Sequence, residues 1–304
     1  MWRGRKENMY DRGDRALSAP LADFDHAVIR RCLRLREQAE RKRTGHFQIE
    51  GLRFLVQAAE QGFPIHSLLI CPRSPTWRPE CAKIAVEVAR HGVSVYEISP
   101  VVLARVANSE DPRGLIAITS QNVLSLDQVT PTTGLCWLAV DELRSPGNLG
   151  TLLRTSECVG GAGLIVLGSG ADPYDPACVR ATMGAIFRQR IVFATFDELR
   201  EWARRHRASI VGTSPSASTD YRSVELYAPS VILLGSERHG LSSHNRSQCN
   251  VTVRIPMAPD CRGDSLNVGV AGSLLLYEAF HQRRRGTCRN RTGCLGARRE
   301  KGRQ

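Results

Sequence analysis

The chain has ten cysteines but no Cys-x-x-Cys pair. Its eight histidines form no HExxH or paired Cys/His spacing, so nothing points to a metal centre. Cys71 and Cys136 lie inside apolar, strand-like runs. Small buried hydrophobes occupy such places, and free buried thiols fit a reducing, cytoplasmic location. Long apolar runs are also missing. Val231 to Leu234 and Leu274 to Leu276 fall far short of the roughly 18 residues that a membrane span needs. The opening MWRGRKENMYDRGDR holds no apolar stretch of the secretory kind, so no signal is expected. Neither GxGxxG nor GxxxxGK[ST] occurs. Leu167-Gly168-Ser169-Gly170 runs into Ala-Asp-Pro, which breaks the dinucleotide pattern. These absences argue against NAD and NTP chemistry.

What is present is an apolar content of 42 % over 304 residues, enough for a packed core and room for two domains. The net charge of +12 is unevenly placed. Residues 1–50 carry twelve Lys/Arg against eight Asp/Glu, and residues 283–304 carry nine against one. The middle balances at 21 against 21. Basic ends attract polyphosphate through counterion release and steer its approach. A solvated tail without a partner has the same composition.

Hydrophobic periodicity predicts a basic amphipathic helix over 25–43, ended by Thr44-Gly45. Strands over 46–49, 68–70, 93–98 and 115–119 alternate with helices over 51–61 and 80–90. That pattern reads as a compact α/β domain over 25–122, after an irregular basic N-terminus at 1–24. Polar residues with Pro131 and Gly134 suggest a linker over 123–134. A second alternation fills 135–284 and closes on a helix over 266–284, with a basic, disordered tail at 285–304.

Three segments carry candidate chemistry. Asn148 to Arg154 opens a helix a few residues beyond an apolar strand. With Asn148 as its cap, Arg154 falls near the second turn, and both are expected to face the strand ends. An arginine there suits a phosphate, although a lone arginine is more often a surface residue. Gly235 to Gly240 follows the strand Val231–Leu234, and its glycines permit close backbone approach, while Glu237 can order the loop by accepting N–H bonds. A simple turn is the ordinary alternative. Ile255-Pro256-Met257 leads to Ser265-Leu266-Asn267, where Ser265 suits a helix cap and Asn267 is free to face a ligand. Apolar groups here can sandwich a flat ring while backbone groups read its edge.

This ordered set resembles the three motifs of the SpoU (TrmH-type) RNA ribose methyltransferases of the SPOUT superfamily. Arg180-Ala-Thr182-Met-Gly184-Ala is similar to the family's R-x-S-x-G-A segment. Phe47-Gln-Ile-Glu50-Gly51 and Asp111-Pro112-Arg-Gly114-Leu-Ile-Ala117 resemble the ribosomal-protein-L30e-like substrate-binding domain that often precedes it. The likeness spans roughly 26–282. Where the family reads Asn-Val-Ser, this chain has Asn267-Val268-Gly269, and Thr182 stands for the usual serine.

The resemblance implies an α/β fold with a parallel sheet and a deep trefoil knot over about 135–283. It implies a homodimer whose paired catalytic domains build each active site. The implied activity is S-adenosyl-L-methionine-dependent 2′-O-methylation of a ribose in structured RNA, ribosomal RNA favoured over transfer RNA. A non-catalytic RNA-binding protein on the same fold is the alternative. Catalytic-site duties would fall to Arg154, Asn148, Glu237, Ser265 and Asn267. Cofactor contacts would come from Thr213, Leu234, Gly235, Gly240, Ile255, Met257 and Leu266, mostly through backbone.

Overall fold

The computed structural model describes residues 20–296 apart from 111, 133 and 228, with side chains described through residue 285. The expected irregular N-terminus therefore lies outside the described residues as far as residue 19. The chain divides into two units. One comprises residues up to Gln121 together with Tyr174–Pro176, and the other holds the remainder.

The first unit runs α1 (Ala27–Arg34), α2 (Gln38–Thr44), β1 (His46–Glu50), α3 (Leu52–Glu60), β2 (Ile65–Ile70), α4 (Pro79–Arg90), β3 (Ser94–Glu97), α5 (Pro100–Val106) and β4 (Leu115–Ser120). Its sheet is ordered β1-β4-β2-β3, with β4 antiparallel to both neighbours and β2 parallel to β3. Val28, Ile29 and Cys32 of α1 and Val102, Leu103 and Val106 of α5 pack on Leu69, Ile116 and Ile118 of the sheet. Glu50 ties the first segment singled out in the sequence to the loop just before the second. Its carboxylate accepts from the backbone N–H of Asn108 at 2.5 Å and the hydroxyl of Ser109 at 2.7 Å.

The single basic helix expected over 25–43 is broken at Leu35–Glu37. Two arginines cause the break. Arg36 turns away to donate to Asn108 Oδ1 and to the carbonyls of Arg105 and Ala107. Arg41, only 2 % exposed, donates to the carbonyls of Leu35 and Arg36 at 2.9 and 2.7 Å. It thereby satisfies acceptors that the end of α1 would leave orphaned.

The second unit holds β5 (Val123–Leu124), β6 (Trp137–Asp141), α6 (Pro146–Val159), β7 (Gly163–Leu167), α7 (Pro176–Ala181), β8 (Arg190–Ala194), α8 (Phe196–Arg205), β9 (Ser209–Thr213), β10 (Thr219–Asp220), β11 (Ser230–Leu234), α9 (Ser243–Ser247), β12 (Val251–Arg254) and α10 (Val268–Gly296). Pro176 itself falls in the first unit. The eight strands form one sheet, ordered β10-β12-β9-β11-β6-β7-β8-β5, and every pairing is parallel. β6, β7 and β11 are buried at every position but Asp141, as strands covered on both faces are.

The segment expected as a linker is built into this unit. Val123-Leu124 pairs with β8, and Leu126 and Val129 join the core with Trp137 and Trp202. The two indole N–H groups donate to the carbonyls of Thr130 and Val129 at 3.0 and 3.2 Å. Polar composition hid Leu124, Leu126 and Val129, which pack in or against that core. At the other end, α10 passes the expected boundary at 284 and is helical to Gly296. No proline interrupts it, and each internal glycine costs only about 1 kcal/mol. Residues 297–304 of the expected tail lie outside the described residues.

Candidate active site

Strand order explains why distant segments converge. β12, β9 and β11 are neighbours in a parallel sheet, so their carboxyl ends lie side by side. Thr213 closes β9, Leu234 closes β11, and Ile255 follows β12. Ligands of open α/β sheets bind outside such strand ends. A cavity of about 660 Å³ lies there, a size suited to a small-molecule cofactor. All seven expected cofactor residues line it: Thr213, Leu234, Gly235, Gly240, Ile255, Met257 and Leu266. Glu237, Ser265 and Asn267 line it as well. Asn148 and Arg154 do not.

Gly235 is glycine for a reason internal to its loop. A Cβ there would lie 2.1 Å from the carbonyl carbon of Gly240 and 2.2 Å from the nitrogen of Leu241. The loop closes on itself through paired backbone bonds between Ser236 and Gly240, 2.9 and 3.1 Å long. The close approach expected here is therefore made by the chain's own backbone.

A polar clasp joins the three motif segments. The Glu237 carboxylate accepts from the backbone N–H of Arg144 at 3.1 Å, from that of Ser145 at 3.0 Å, and from Asn148 Nδ2 at 3.2 Å. Asn148 Oδ1 in turn accepts from Asn267 Nδ2 at 3.2 Å. Asn267 Oδ1 accepts from the N–H groups of Gly269 and Val270 at 2.9 and 3.3 Å. One chain of contacts thus runs from the β11 loop through the start of α6 to the start of α10. Partial burial pushes the Glu237 carboxyl up, but the N–H bonds from Arg144, from its own backbone, from Ser145 and from Asn148 outweigh it. The net result lies below the usual carboxylate range, so Glu237 is an anion at neutral pH.

The caps differ from expectation. Ser145, not Asn148, caps α6: its hydroxyl accepts from the Asn148 N–H at 3.3 Å, with Pro146 in the first turn. A Ser-Pro pair is the usual signal for such a start. Asn267, not Ser265, caps α10, because the helix begins at Val268. Asn267 therefore has a capping duty, and its amide Nδ2 is what reaches Asn148. Gly269 sits in the first turn rather than the helix interior. A Cβ there would approach Asn267 Oδ1 to 3.1 Å and Asn148 Oδ1 to 3.4 Å, so glycine leaves room for the bridge.

Arg154 does not face the strand ends. Six residues of helix rotate it about 600° from Asn148, which leaves it on a different face. It is exposed and makes no hydrogen bond or ion pair among the described residues. With Gly147, Thr151 and Cys158 it forms an exposed stripe on α6. The next face of α6 packs on α10, where the hydroxyls of Thr155 and Ser273 lie 3.0 Å apart. Gly150 lets α6 approach α7, since a Cβ there would lie 2.6 Å from the Ala181 Cβ and the Cys178 carbonyl oxygen. Thr182 is buried at the end of that contact, its hydroxyl donating to the Val179 carbonyl at 2.7 Å and accepting from the Gly184 N–H at 3.2 Å.

Sequence reasoning missed Ser145 and Arg144, which work through backbone, and Asp264, Arg246 and Arg254 in the cavity wall. Lone charged residues outside a motif give no local signal.

Residues 136–277 match the SpoU rRNA Methylase family, and residues 27–117 match an MRM3-like substrate binding domain. A 23S rRNA (uridine(2479)-2′-O)-methyltransferase of Streptomyces viridochromogenes is 32 % identical over 252 residues, which cover 80 % of this chain and 85 % of that one. The chain belongs to the SpoU rRNA methylase family. The AdoMet-bound rRNA methyltransferase of Sinorhizobium meliloti superposes with a TM-score of 0.78 at 29 % identity, covering 86 % of this chain and 97 % of that one. The SpoU methyltransferase AviRb of S. viridochromogenes, in complex with AdoMet, gives 0.75 at 30 % identity over 84 % and 98 %.

Proposed function

We propose that this SpoU-family chain transfers the methyl group of S-adenosylmethionine to a ribose 2′-OH of ribosomal RNA. The observation that carries the reading is the cavity at the ends of β9, β11 and β12, bordered by the Glu237–Asn148–Asn267 clasp. The cavity fits the cofactor. Leu234, Ile255, Met257 and Leu266 offer apolar walls for a flat base, and the loops after β9, β11 and β12 offer backbone groups for its edge. When bound, S-adenosylmethionine supplies an electrophilic methyl group on a sulfonium sulfur.

The protein's part is positional and electrostatic. Glu237 holds the β11 loop against the start of α6, and Asn148 relays that order to Asn267. Ser265, exposed at the cavity wall, presents its hydroxyl to the ribose. A ribose hydroxyl is a weak nucleophile at neutral pH and needs charge stabilisation as its proton leaves. Arg154, with its planar guanidinium, would clamp the RNA phosphate beside it.

Arg154 is outside its own cavity, which supports a homodimer in which each protomer lends the arginine to its partner. An exposed apolar stripe on α10, Val270, Leu274 and Tyr277, is a surface such a pairing would cover. The trefoil threading of residues about 135–283 belongs to the same reading. So does a cytoplasmic location. Separately, no helix among the described residues is long and apolar enough to cross a membrane.

The test is methyl transfer from label-bearing S-adenosylmethionine to protein-free ribosomal RNA and, in parallel, transfer RNA. Digestion should yield a labelled 2′-O-methylnucleoside from ribosomal RNA. Label on transfer RNA alone moves the substrate, and label on neither overturns the reading.

A further inference from the structure

The first unit carries a cluster that the reaction does not use. Residues 30–43 hold seven Lys/Arg and only Glu37 and Glu40 as acids. Three of these cations are spoken for. Arg36 and Arg41 turn inward onto carbonyls, and Arg43 grips Glu40 in two bonds of 2.8 and 2.7 Å. Arg30 and Arg34 are exposed and have no hydrogen bond or ion pair among the described residues. Glu40, the carboxylate that feels Arg34 and Arg31, is already held by Arg43. At positions i and i+4 of α1, Arg30 and Arg34 share one helix face, with Arg31 beside them.

Arg31 is spent on an unusual partner. Its Nη2 donates to His46 Nδ1 at 3.1 Å, so it contacts a neutral imidazole and keeps its charge uncompensated. His46 pairs across the β1–β4 ladder with Ser120, and His66 of β2 reaches the Ser120 hydroxyl at 2.7 Å. The two imidazoles meet edge to face with centroids 4.3 Å apart. His66 sits where β2 shifts register between Ile65 and Ser67.

We propose that Arg30, Arg31 and Arg34, with His46 and His66, form a face that docks the sugar–phosphate backbone of structured RNA. The inference rests on the RNA methyltransferase reading and adds to it the place where this unit holds the RNA. Charge complementarity selects the occupant: five groups that carry or accept positive charge stand against Glu37 as the one acid of residues 30–43 not held by an arginine. Phosphate contacts of this type position an RNA without reading its sequence.

The imidazoles give the face a second signature. Burial, with the repulsion of His66 and Arg31, holds His46 below the usual histidine range. Burial and Arg31 do the same to His66. An arriving phosphate offsets that repulsion and raises both. Binding then takes up protons, so affinity rises as pH falls into the acidic range where these histidines charge.

The experiment measures binding of a fluorescein-labelled RNA hairpin across a salt series, beside methylation of protein-free ribosomal RNA. Arg30→Gln with Arg34→Gln should weaken hairpin binding about tenfold at low salt and lower the log–log salt slope by about 1.5. RNA KM should rise while kcat at saturating RNA and S-adenosylmethionine affinity stay unchanged. Lys83→Gln with Arg90→Gln, an equal charge loss on the exposed side of α4, should leave the slope alone. His46→Gln with His66→Gln should flatten the gain in affinity between about pH 7.5 and about pH 5.5. An unaltered slope in the arginine variant, or an equal drop in the α4 control, overturns the docking face even if methylation is normal. A slope that drops in the arginine variant alone, with no RNA methylated, supports the face and overturns the reaction instead.

Discussion

Glu237→Gln should loosen the start of α6 without unfolding the protein. The carboxylate accepts three bonds in the structure, two from backbone N–H groups and one from Asn148. A glutamine keeps one oxygen and places an amide N–H against the Arg144 or the Ser145 donor. A hydrogen bond to a charged group contributes roughly 1.5–3 kcal/mol, and Glu237 is exposed, so solvent screening brings the expected loss to about 1–2 kcal/mol. In local opening that is a factor of about 5–30. The assay is amide hydrogen exchange at Arg144 and Ser145, which should accelerate by that factor while amides of β6 and β11 do not. The pH dependence has a definite sign. Because the folded-state carboxyl lies below its unfolded value, its contribution is complete above about pH 4.3 and is lost as pH falls through the folded value. Wild type and variant should therefore converge in acid. Equal exchange at neutral pH would refute the clasp as an energetic element.

Three further outcomes are expected. Arg154→Ala should lower methyl transfer by about 100-fold or more while S-adenosylmethionine affinity, read by calorimetry, is unchanged, since the residue lies outside the cavity; near-normal turnover would remove it from the site. Gly150→Ala should destabilise the second unit by about 1–3 kcal/mol in thermal unfolding, because its Cβ would lie 2.6 Å from Ala181 and Cys178; an unshifted midpoint would mean that α6 and α7 separate freely. Deleting residues 285–304, which carry seven arginines and lysines, should be read against salt: the truncated chain is expected to bind RNA with a shallower slope and to methylate the same nucleotide.

Most strands were legible because a parallel sheet covered on both faces demands unbroken apolar runs. Val231–Leu234 and Leu164–Leu167 could be placed within a residue of their ends. The cavity residues followed, since what lies just past a parallel strand sits at its carboxyl end. Direction around a helix was harder. Asn148 and Arg154 share a motif and a helix, yet only the first reaches the clasp. Caps were misassigned because Ser145 and Asn148, or Ser265 and Asn267, are equally good cap residues by type, and only the backbone decides between them. The break between α1 and α2 depends on Arg36 reaching residues 105–108 and on Arg41 folding back on α1, contacts that no local pattern contains. Val123-Leu124 escaped notice because two residues of an edge strand are too short for a period.

The central claim is that this chain methylates a ribose in ribosomal RNA, and mapping 2′-O-methyl groups in ribosomal RNA from cells with and without the gene tests it most directly. The account predicts one ribose methylated only when the gene is present, restored by the wild-type chain but not by Arg154→Ala. Identical methylation maps from the two strains would contradict it.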